Sequence, residues 1–263
     1  MPPAVSIITV YYNTPAELLR LHESIHRFLP AGQWEWIIAD NHSLEDLSTK
    51  LPGVHYLRLP ENYGFAKANN LAARKASAPF LLFLNPDCEL LENLLPPLME
   101  ALKSAGVAGP QVLNADGSIQ LSFGPFLSIL QEARQRFLTR YERSILVQKW
   151  LRRKMRSPFW PDYVSGCAMM IRSELFESMG GFDETFFLYE EDVDLCKRIR
   201  NRGLPILYVP AVKIQHARNR SVKQSPELAK AQYRKSQMYY YEKHQASLQQ
   251  FLLKLYLSVR KKN

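Results

Sequence analysis

The chain has 263 residues, 46% hydrophobic and 22% charged, with a formal net charge of +9. That length and balance suit one large globular domain with a decorated C-terminal part, and they exclude a disordered chain. No apolar run approaches the ~20 residues of a membrane-spanning helix, and three widely spaced cysteines fit neither a metal-ligand spacing nor a disulfide framework.

Met1-Pro2-Pro3 leads straight into a strand-like segment with no signal peptide pattern, so the expected compartment is the reducing cytoplasm. The first half then alternates strand and helix signals with short turns, which predicts a parallel, doubly wound sheet. A strand over residues 5–11 ends at Asn13. Thr14-Pro15-Ala16-Glu17 opens a helix, with Pro at its first position and an apolar stripe of Leu18, Leu21, His22, Ile25 and Leu29. A strand over 34–39 ends in Asp40-Asn41-His42-Ser43, and one over 54–59 ends in Pro60-Glu61-Asn62-Tyr63-Gly64. A helix over 65–76 carries Lys67, Asn69 and Asn70. The fourth strand, Phe80-Leu81-Leu82-Phe83-Leu84, is apolar throughout, reads as buried on both faces, and runs into Asn85-Pro86-Asp87. Taken alone, Asp87 reads equally well as a turn or cap residue. Polar clusters at every successive strand exit, however, predict a pocket along one sheet edge, where open α/β sheets place ligands.

The second half changes texture. After a helix over 91–105, Asn114-Ala115-Asp116-Gly117 predicts a hairpin turn between 110–113 and 119–122. A basic, helix-prone segment over 126–156 reads as an insertion. Strand-like sequence resumes at 163–164 and 168–171, around Ser165-Gly166. The acidic run Glu190-Glu191-Asp192-Val193-Asp194 opens a helix that stops at Gly203; spacing puts Asp192 on the stripe of Leu195, Cys196 and Ile199, and Glu191 on the side of Arg198. Acids at a helix start also complement its dipole. Strands over 206–209 and 212–215 lead to His216. Two basic blocks, Arg134 to Arg156 and Arg218 to Lys262, carry interleaved apolar residues, which suggests adhesion to an anionic membrane surface. Nucleic acid is the competing partner, but no motif supports it. The tail over 226–260 could equally serve a homodimer contact.

Six segments in order, SIITVYYN from Ser6, ADNHS from Ala39, NYGFAKANN from Asn62, Asn85-Pro86-Asp87, Ser165-Gly166, and YEEDVDLCKR from Tyr189, resemble the GT-A fold glycosyltransferases of family 2, especially bacterial rhamnosyltransferases of surface-polysaccharide and O-antigen assembly. The resemblance covers about residues 5–221. It implies a domain over 1–221, with a nucleotide-binding half (1–109) and an acceptor-binding half (110–221); it does not explain the basic insertion or the amphipathic helical segment expected over 222–263. It also implies inverting transfer from a dTDP- or UDP-sugar to a lipid-linked or polysaccharide hydroxyl, at the inner face of the plasma membrane. By resemblance, Thr9, Tyr11, Asn13, Asp40, Asn62, Gly64, Phe65, Lys67, Asn70, Asn85 and Asp87 are expected at the nucleotide-sugar, with Asp40 on the base. Ser165, Gly166 and Glu190 are expected at the acceptor, and Asp192, or failing it Glu191, as general base. Asn85-Pro86-Asp87 stands where the family often has Asp-x-Asp, so a divalent cation (Mg²⁺ or Mn²⁺) would rest on Asp87, with His216 as a further ligand. Two other classes stay open: a nucleotidyltransferase, and a nucleotide-sugar-binding module without catalysis. A dinucleotide site is not supported, because no Gly-x-Gly-x-x-Gly follows the first strand.

Overall fold

Near-continuous apolar residues in three segments make strands that need cover on both faces. The computed structural model, which describes residues 2–218 and 226–260, sets these strands at the heart of an eight-stranded sheet. In chain order the elements begin with β1 (Val5–Tyr11), α1 (Pro15–Phe28), β2 (Trp34–Asp40), β3 (His55–Arg58), α2 (Gly64–Ala73), β4 (Phe80–Leu84), β5 (Cys88–Leu90) and α3 (Leu95–Ala101). They continue with β6 (Val107–Leu113), β7 (Phe123–Gly124), α4 (Ile129–Arg140), α5 (Ile145–Lys154), β8 (Tyr163–Val164), β9 (Ala168–Arg172) and α6 (Ser173–Ser178). The last are α7 (Glu191–Asn201), β10 (Ile206–His216), α8 (Pro226–His244) and α9 (Ser247–Arg260).

The sheet order is β3-β2-β1-β4-β9-β6-β10-β5. β3, β2, β1 and β4 are mutually parallel, as expected of the first half. The second half is mixed: β9 runs antiparallel to β4 and β6, β10 is parallel to β6, and β5 is antiparallel to β10.

Three expectations need correction. The chain does turn at Asn114, whose N–H reaches the Ser118 carbonyl at 2.8 Å, but only a single bridge joins Leu113 to Ile119. β6 spends both edges on β9 and β10, so residues 119–122 leave the sheet. The helix expected over 91–105 is shorter, because residues 88–90 pair with β10 as β5, and α3 starts where Pro96 and Pro97 occupy first-turn positions. The two strands expected over 206–215 are one strand, β10, with a register shift between Val209 and Lys213 around Pro210, which has no N–H to donate.

Each sheet face buries its own core. On one, Leu18, Leu21 and Ile25 of α1 pack on Ile7, Trp36 and Ile38; on the other, Ala66 and Ala72 of α2 and Leu195, Cys196 and Ile199 of α7 cover Ile8, Ile37 and Phe83. Each large apolar side chain so buried contributes roughly 1.5–3 kcal/mol. A third cluster of Leu127, Phe186, Val193, Tyr240, Tyr241 and Leu253 joins α8 and α9 to α7 and to the start of the basic segment. That segment folds into α4 and α5 as expected. It is stitched into the domain: Leu151 enters the second core, and the Gln148 amide takes the Ile119 N–H and donates to the Ile119 carbonyl, each at 2.9 Å.

Gly64 sets how α2 meets the acid-bearing half. It opens the helix at φ +77°, and a Cβ there would lie 2.3 Å from the Phe187 carbonyl oxygen, which accepts the Phe65 N–H at 2.7 Å. Gly64→Ala is expected to cost about 1–3 kcal/mol from backbone strain, plus displacement of residue 187, read as a lower urea midpoint. Gly53→Ala, at φ +78° with open space around it, should cost less.

Candidate active site

The carboxyl ends of the parallel strands open into a cavity of about 650 Å³. From this edge come Val10, Tyr12, Asn13, Asn41, Asn62, Gly64, Phe65, Asn85 and Asp87; from the second half come Ser165, Gly166, Glu190, Glu191, Asp192 and His216. The structure thus gathers residues spread across most of the chain into one wall. It also corrects which residues of β1 and β2 reach that wall.

Successive side chains of a strand point to opposite faces. Thr9 and Tyr11 share the face of Ile7 and turn into the α1 core: Thr9 Oγ1 accepts from Trp36 Nε1 at 3.0 Å, and the Tyr11 hydroxyl donates to the Glu45 carbonyl at 3.1 Å. Val10 and Tyr12 face the cavity instead. Asp40 is likewise fully buried, accepting from Ser43 N–H, the Tyr56 hydroxyl and Arg58 at 2.8–2.9 Å. Its neighbour Asn41 takes the cavity position, held by Asn62 Oδ1 at 2.8 Å and the Tyr63 N–H at 2.8 Å. The expected contact between Asp40 and a base is therefore replaced by a structural role. Asn70 and Lys67 also lie off the wall: Asn70 clamps both the N–H and carbonyl of Phe182, and the Lys67 ammonium sits 3.8 Å over the Tyr63 ring. Asn13 does reach the wall, at φ 51°, with Oδ1 accepting the Leu44 N–H at 2.7 Å.

At the end of β4, Asp87 Oδ1 lies 3.1 Å from His216 Nε2. The other ring nitrogen, Nδ1, is 2.8 Å from Gln120 Oε1, and the Gln120 amide nitrogen is engaged with Asn114 Oδ1 at 2.9 Å. That orients the amide so that its oxygen faces the imidazole and Nδ1 must donate. In a neutral ring, Nε2 is then a lone pair aimed at a carboxylate, a position that suits either a proton or a cation. Burial disfavours the charged ring, but the Cys167 sulfur, by negative charge and hydrogen bonding, and the Asp87 carboxylate outweigh it and raise His216 to about 10. Among the described residues no group of three or more His, Cys, Asp and Glu side chains forms a cage for a metal. Asp87 and His216 would offer a divalent cation two ligands, leaving its other positions to water and phosphate oxygens. Gln120 carried no sequence signal of its own; it became visible only through the pairing of Nδ1.

Tyr189 and Glu190 both adopt left-handed backbone, φ 72° and 68°, to swing the chain into α7. Strain of this kind concentrates at functional sites. Asp192 Oδ2 accepts the Gly166 N–H at 2.7 Å and Oδ1 the Val193 N–H at 2.8 Å, leaving the carboxylate facing the cavity. Burial raises its pKa, with those two N–H groups opposing. Glu191 and Glu190 are pushed well up, first by burial and then by the Asp192 charge. Arg198 does not serve Glu191. Its Nε holds Asp194, fully buried, at 2.7 Å, and Lys243 and His244 of α8 reach the same carboxylate at 2.7 Å each.

The sequence matches the family model for glycosyl transferase family 2 over residues 6–179, and that for the N-terminal domain of galactosyltransferase over 151–222. The fold is GT-A: the crystal structure of GalNAc-T7 with UDP, GalNAc and Mn²⁺ superposes with a TM-score of 0.62 at 20% identity, over 82% of this chain and 44% of that one. The chain belongs to glycosyl transferase family 2. It is similar to rhamnosyltransferase WbbL of Escherichia coli K12, 29% identical over 234 residues, covering 82% of this chain and 86% of the relative. The N-acetylglucosaminyl-diphospho-decaprenol L-rhamnosyltransferase of Mycobacterium tuberculosis H37Rv is 26% identical over 220 residues, 76% of this chain and 72% of the relative. The low-salt glycan biosynthesis hexosyltransferase Agl10 of Haloferax volcanii is 26% identical over 211 residues, 77% of this chain and 63% of the relative.

The hydrogen bond from His244 and the Arg198 and Lys243 cations overcome the cost of burying Asp194 and hold its pKa below the usual carboxylate range. A depressed carboxyl stabilises the fold fully above its unfolded value of about 3.9 and loses that contribution as pH falls through this value toward the folded one. Acid unfolding of the wild type should therefore steepen below about pH 4. Asp194→Asn should cost about 3 kcal/mol or more at neutral pH by stranding buried cations, and its stability should then vary less across that acid window. Circular dichroism melts from pH 7 to pH 3 measure both.

Proposed function

We propose that the chain transfers a sugar, with rhamnose the first choice, from a dTDP- or UDP-sugar to a hydroxyl of a lipid-linked or growing glycan, with inversion at the anomeric carbon. The observation that carries this reading is the opening of two distinct acidic groups into one cavity: the Asp87–His216 pair at the nucleotide-side strand ends, and the Asp192 carboxylate at the start of α7. The rhamnosyltransferase relatives supply the choice of sugar.

Donor binding is assigned to Asn13, Asn41, Asn62, Gly64, Phe65, Asn85 and Asp87, acceptor contacts to Ser165, Gly166 and Glu190. The acceptor oxygen attacks the anomeric carbon as the bond to the diphosphate oxygen breaks. The hydroxyl proton passes to Asp192, and the bonding electrons leave with the nucleoside diphosphate. Asp192 fits a base because burial raises its basicity while two N–H groups keep it ionised and aimed. Glu191, more strongly raised and without those N–H contacts, is the weaker choice. A divalent cation would be held by Asp87 and His216, where it would neutralise charge on the diphosphate.

Asp192→Asn should lower kcat by roughly 10²–10⁴-fold while leaving the dissociation constant for dTDP or UDP within about twofold of the wild type. Asp87→Ala should weaken nucleotide binding, with most of the loss in the presence of Mn²⁺. Calorimetric titration and transfer from radiolabelled dTDP-rhamnose measure these, and the anomeric configuration of the product by NMR tests inversion. Release of pyrophosphate from a nucleoside triphosphate and a sugar phosphate would move the chain to the nucleotidyltransferase class instead.

A lipid-linked acceptor would also give the basic helices a purpose. Leu130 and Leu146 are 77% and 80% exposed, and Phe137, Ile145, Leu248 and Phe251 are also exposed, on α4, α5 and α9, with Arg152, Arg153 and Lys154 at the end of α5. Among the described residues no helix is long and apolar enough to cross a membrane. Binding to the surface of anionic vesicles that weakens with salt, and that drops at least severalfold in Ile145→Ser/Leu146→Ser, is expected in a co-sedimentation assay. Concentration-dependent dimerisation without vesicle binding would assign these faces to a second copy.

A further inference from the structure

Among the described residues, two buried oxygens at the cavity, Glu191 Oε2 and Gln232 Oε1, stand without a hydrogen-bond partner. An unsatisfied buried acceptor is costly, and each one asks what it is kept for. Both oxygens of Asp192 are occupied, and Arg198, Lys243 and His244 all contact Asp194.

Gln232 lies on the first turns of α8, with Leu228 and Ala229 four and three residues before it and so on one helix face. All three line the cavity. The wall is fixed to the acid run. Ser236 donates to the Leu188 carbonyl at 2.8 Å, the Tyr233 and Tyr189 rings meet edge to face at 5.8 Å, and His244 and Lys243 further along hold Asp194. The C-terminal segment, which the family matches do not reach, therefore closes the side of the cavity carrying the acids, away from the strand ends assigned to the donor.

We propose that this face of α8 and the Glu191 side chain form the acceptor-sugar subsite, in which Gln232 Oε1 accepts a hydrogen from one hydroxyl of the acceptor glycan and Glu191 Oε2 shares a hydrogen with another. The chemistry selects the ligand. Gln232 Oε1 needs a donor, which a diphosphate cannot offer and a sugar hydroxyl can, and the place of this wall away from the strand ends favours the hydroxyls of the acceptor over those of the donor. The apolar Leu228 and Ala229 beside Gln232 suit the C–H face of the same ring. This inference rests on the transferase reading above and names the side of that site where the acceptor is recognised.

The test uses the full chain saturated with UDP or dTDP, and octyl β-N-acetylglucosaminide and octyl α-rhamnoside as acceptor probes, with saturation-transfer NMR and calorimetry as readouts. Wild type should bind at least one glycoside. Gln232→Leu, close in size, should weaken that glycoside about three- to tenfold, the range of one net hydrogen bond, with nucleotide affinity and urea midpoint unchanged. Ala229→Phe should block the glycoside while nucleotide still binds. Where transfer is measurable, Gln232→Leu should raise the acceptor KM with little change in kcat. Loss of nucleotide affinity in Gln232→Leu would place the wall at the base and overturn the proposal. Unchanged glycoside affinity in both variants would do the same by making α8 mere scaffold. Nucleotide binding with no glycoside binding to the wild type would sink the subsite and leave the transferase reading standing; failure of both ligands would remove that reading as well.

Discussion

The Asp194 carboxylate, sealed from water and shared by Arg198, Lys243 and His244, is the constraint on which the acid-bearing half depends. A buried charge must be matched by nearby opposite charge, and here the matching groups come from α7 itself and from a helix fifty residues further along. The pairing fixes where α7 begins. Once that start is fixed, the backbone before it must turn through two consecutive left-handed residues, Tyr189 and Glu190, and Asp192 is presented to the N–H groups of Gly166 and Val193. Phe187, in the same loop, accepts from Phe65 across a gap that only Gly64 leaves open. One ionic knot thus sets the direction of the acids and their distance from the nucleotide-side strands.

The architecture was legible because it rests on periodicity and punctuation. Apolar runs ended by polar clusters located β1, β2, β3 and β4 and the edge where they open, and Thr14-Pro15 marked the start of α1. The face of each strand was less accessible. The motifs at Thr9, Tyr11 and Asp40 drew attention, but alternation from Ile7 and Trp36, both core residues, carries those three into the core and brings Val10, Tyr12 and Asn41 to the cavity. That signal was present in the sequence and had only to be followed one residue further. The mixed half of the sheet was not readable in the same way. β9 inserts between β4 and β6 from far along the chain, and nothing local in residues 168–172 records an antiparallel partner. Long-range contacts of this sort also explain Gln120 and Gln232, whose meaning comes wholly from what they face.

The same physics gives the two acidic poles of the cavity different characters. Asp87 is paired with an imidazole whose far nitrogen is pinned by Gln120, so its charge is already balanced and can be rebalanced by exchange of a proton for a cation. Among the described residues Asp192 has no ion-pair partner; burial raises its affinity for a proton, and two backbone N–H dipoles oppose that and hold it aimed. A paired carboxylate resists protonation and suits the binding of charge, whereas a lightly stabilised one suits acceptance of a proton. The division of labour proposed between them therefore follows from their partners.

The C-terminal helices link this cavity to the outer surface. α8 supplies Leu228, Ala229 and Gln232 to the wall and Lys243 and His244 to the ionic knot, then turns into α9, which packs back on α8 and α4. Exposed leucines and phenylalanines lie on α9 and α4, and α5 ends in Arg152, Arg153 and Lys154. An acceptor carried on a lipid would need both features within one molecular radius, a surface that rests at the bilayer and a wall that takes the first sugar leaving it. A packed helix pair joins the two without the entropy cost of a flexible tether. Seen this way, the segment outside the family matches is what would turn a general nucleotide-sugar fold toward one kind of acceptor.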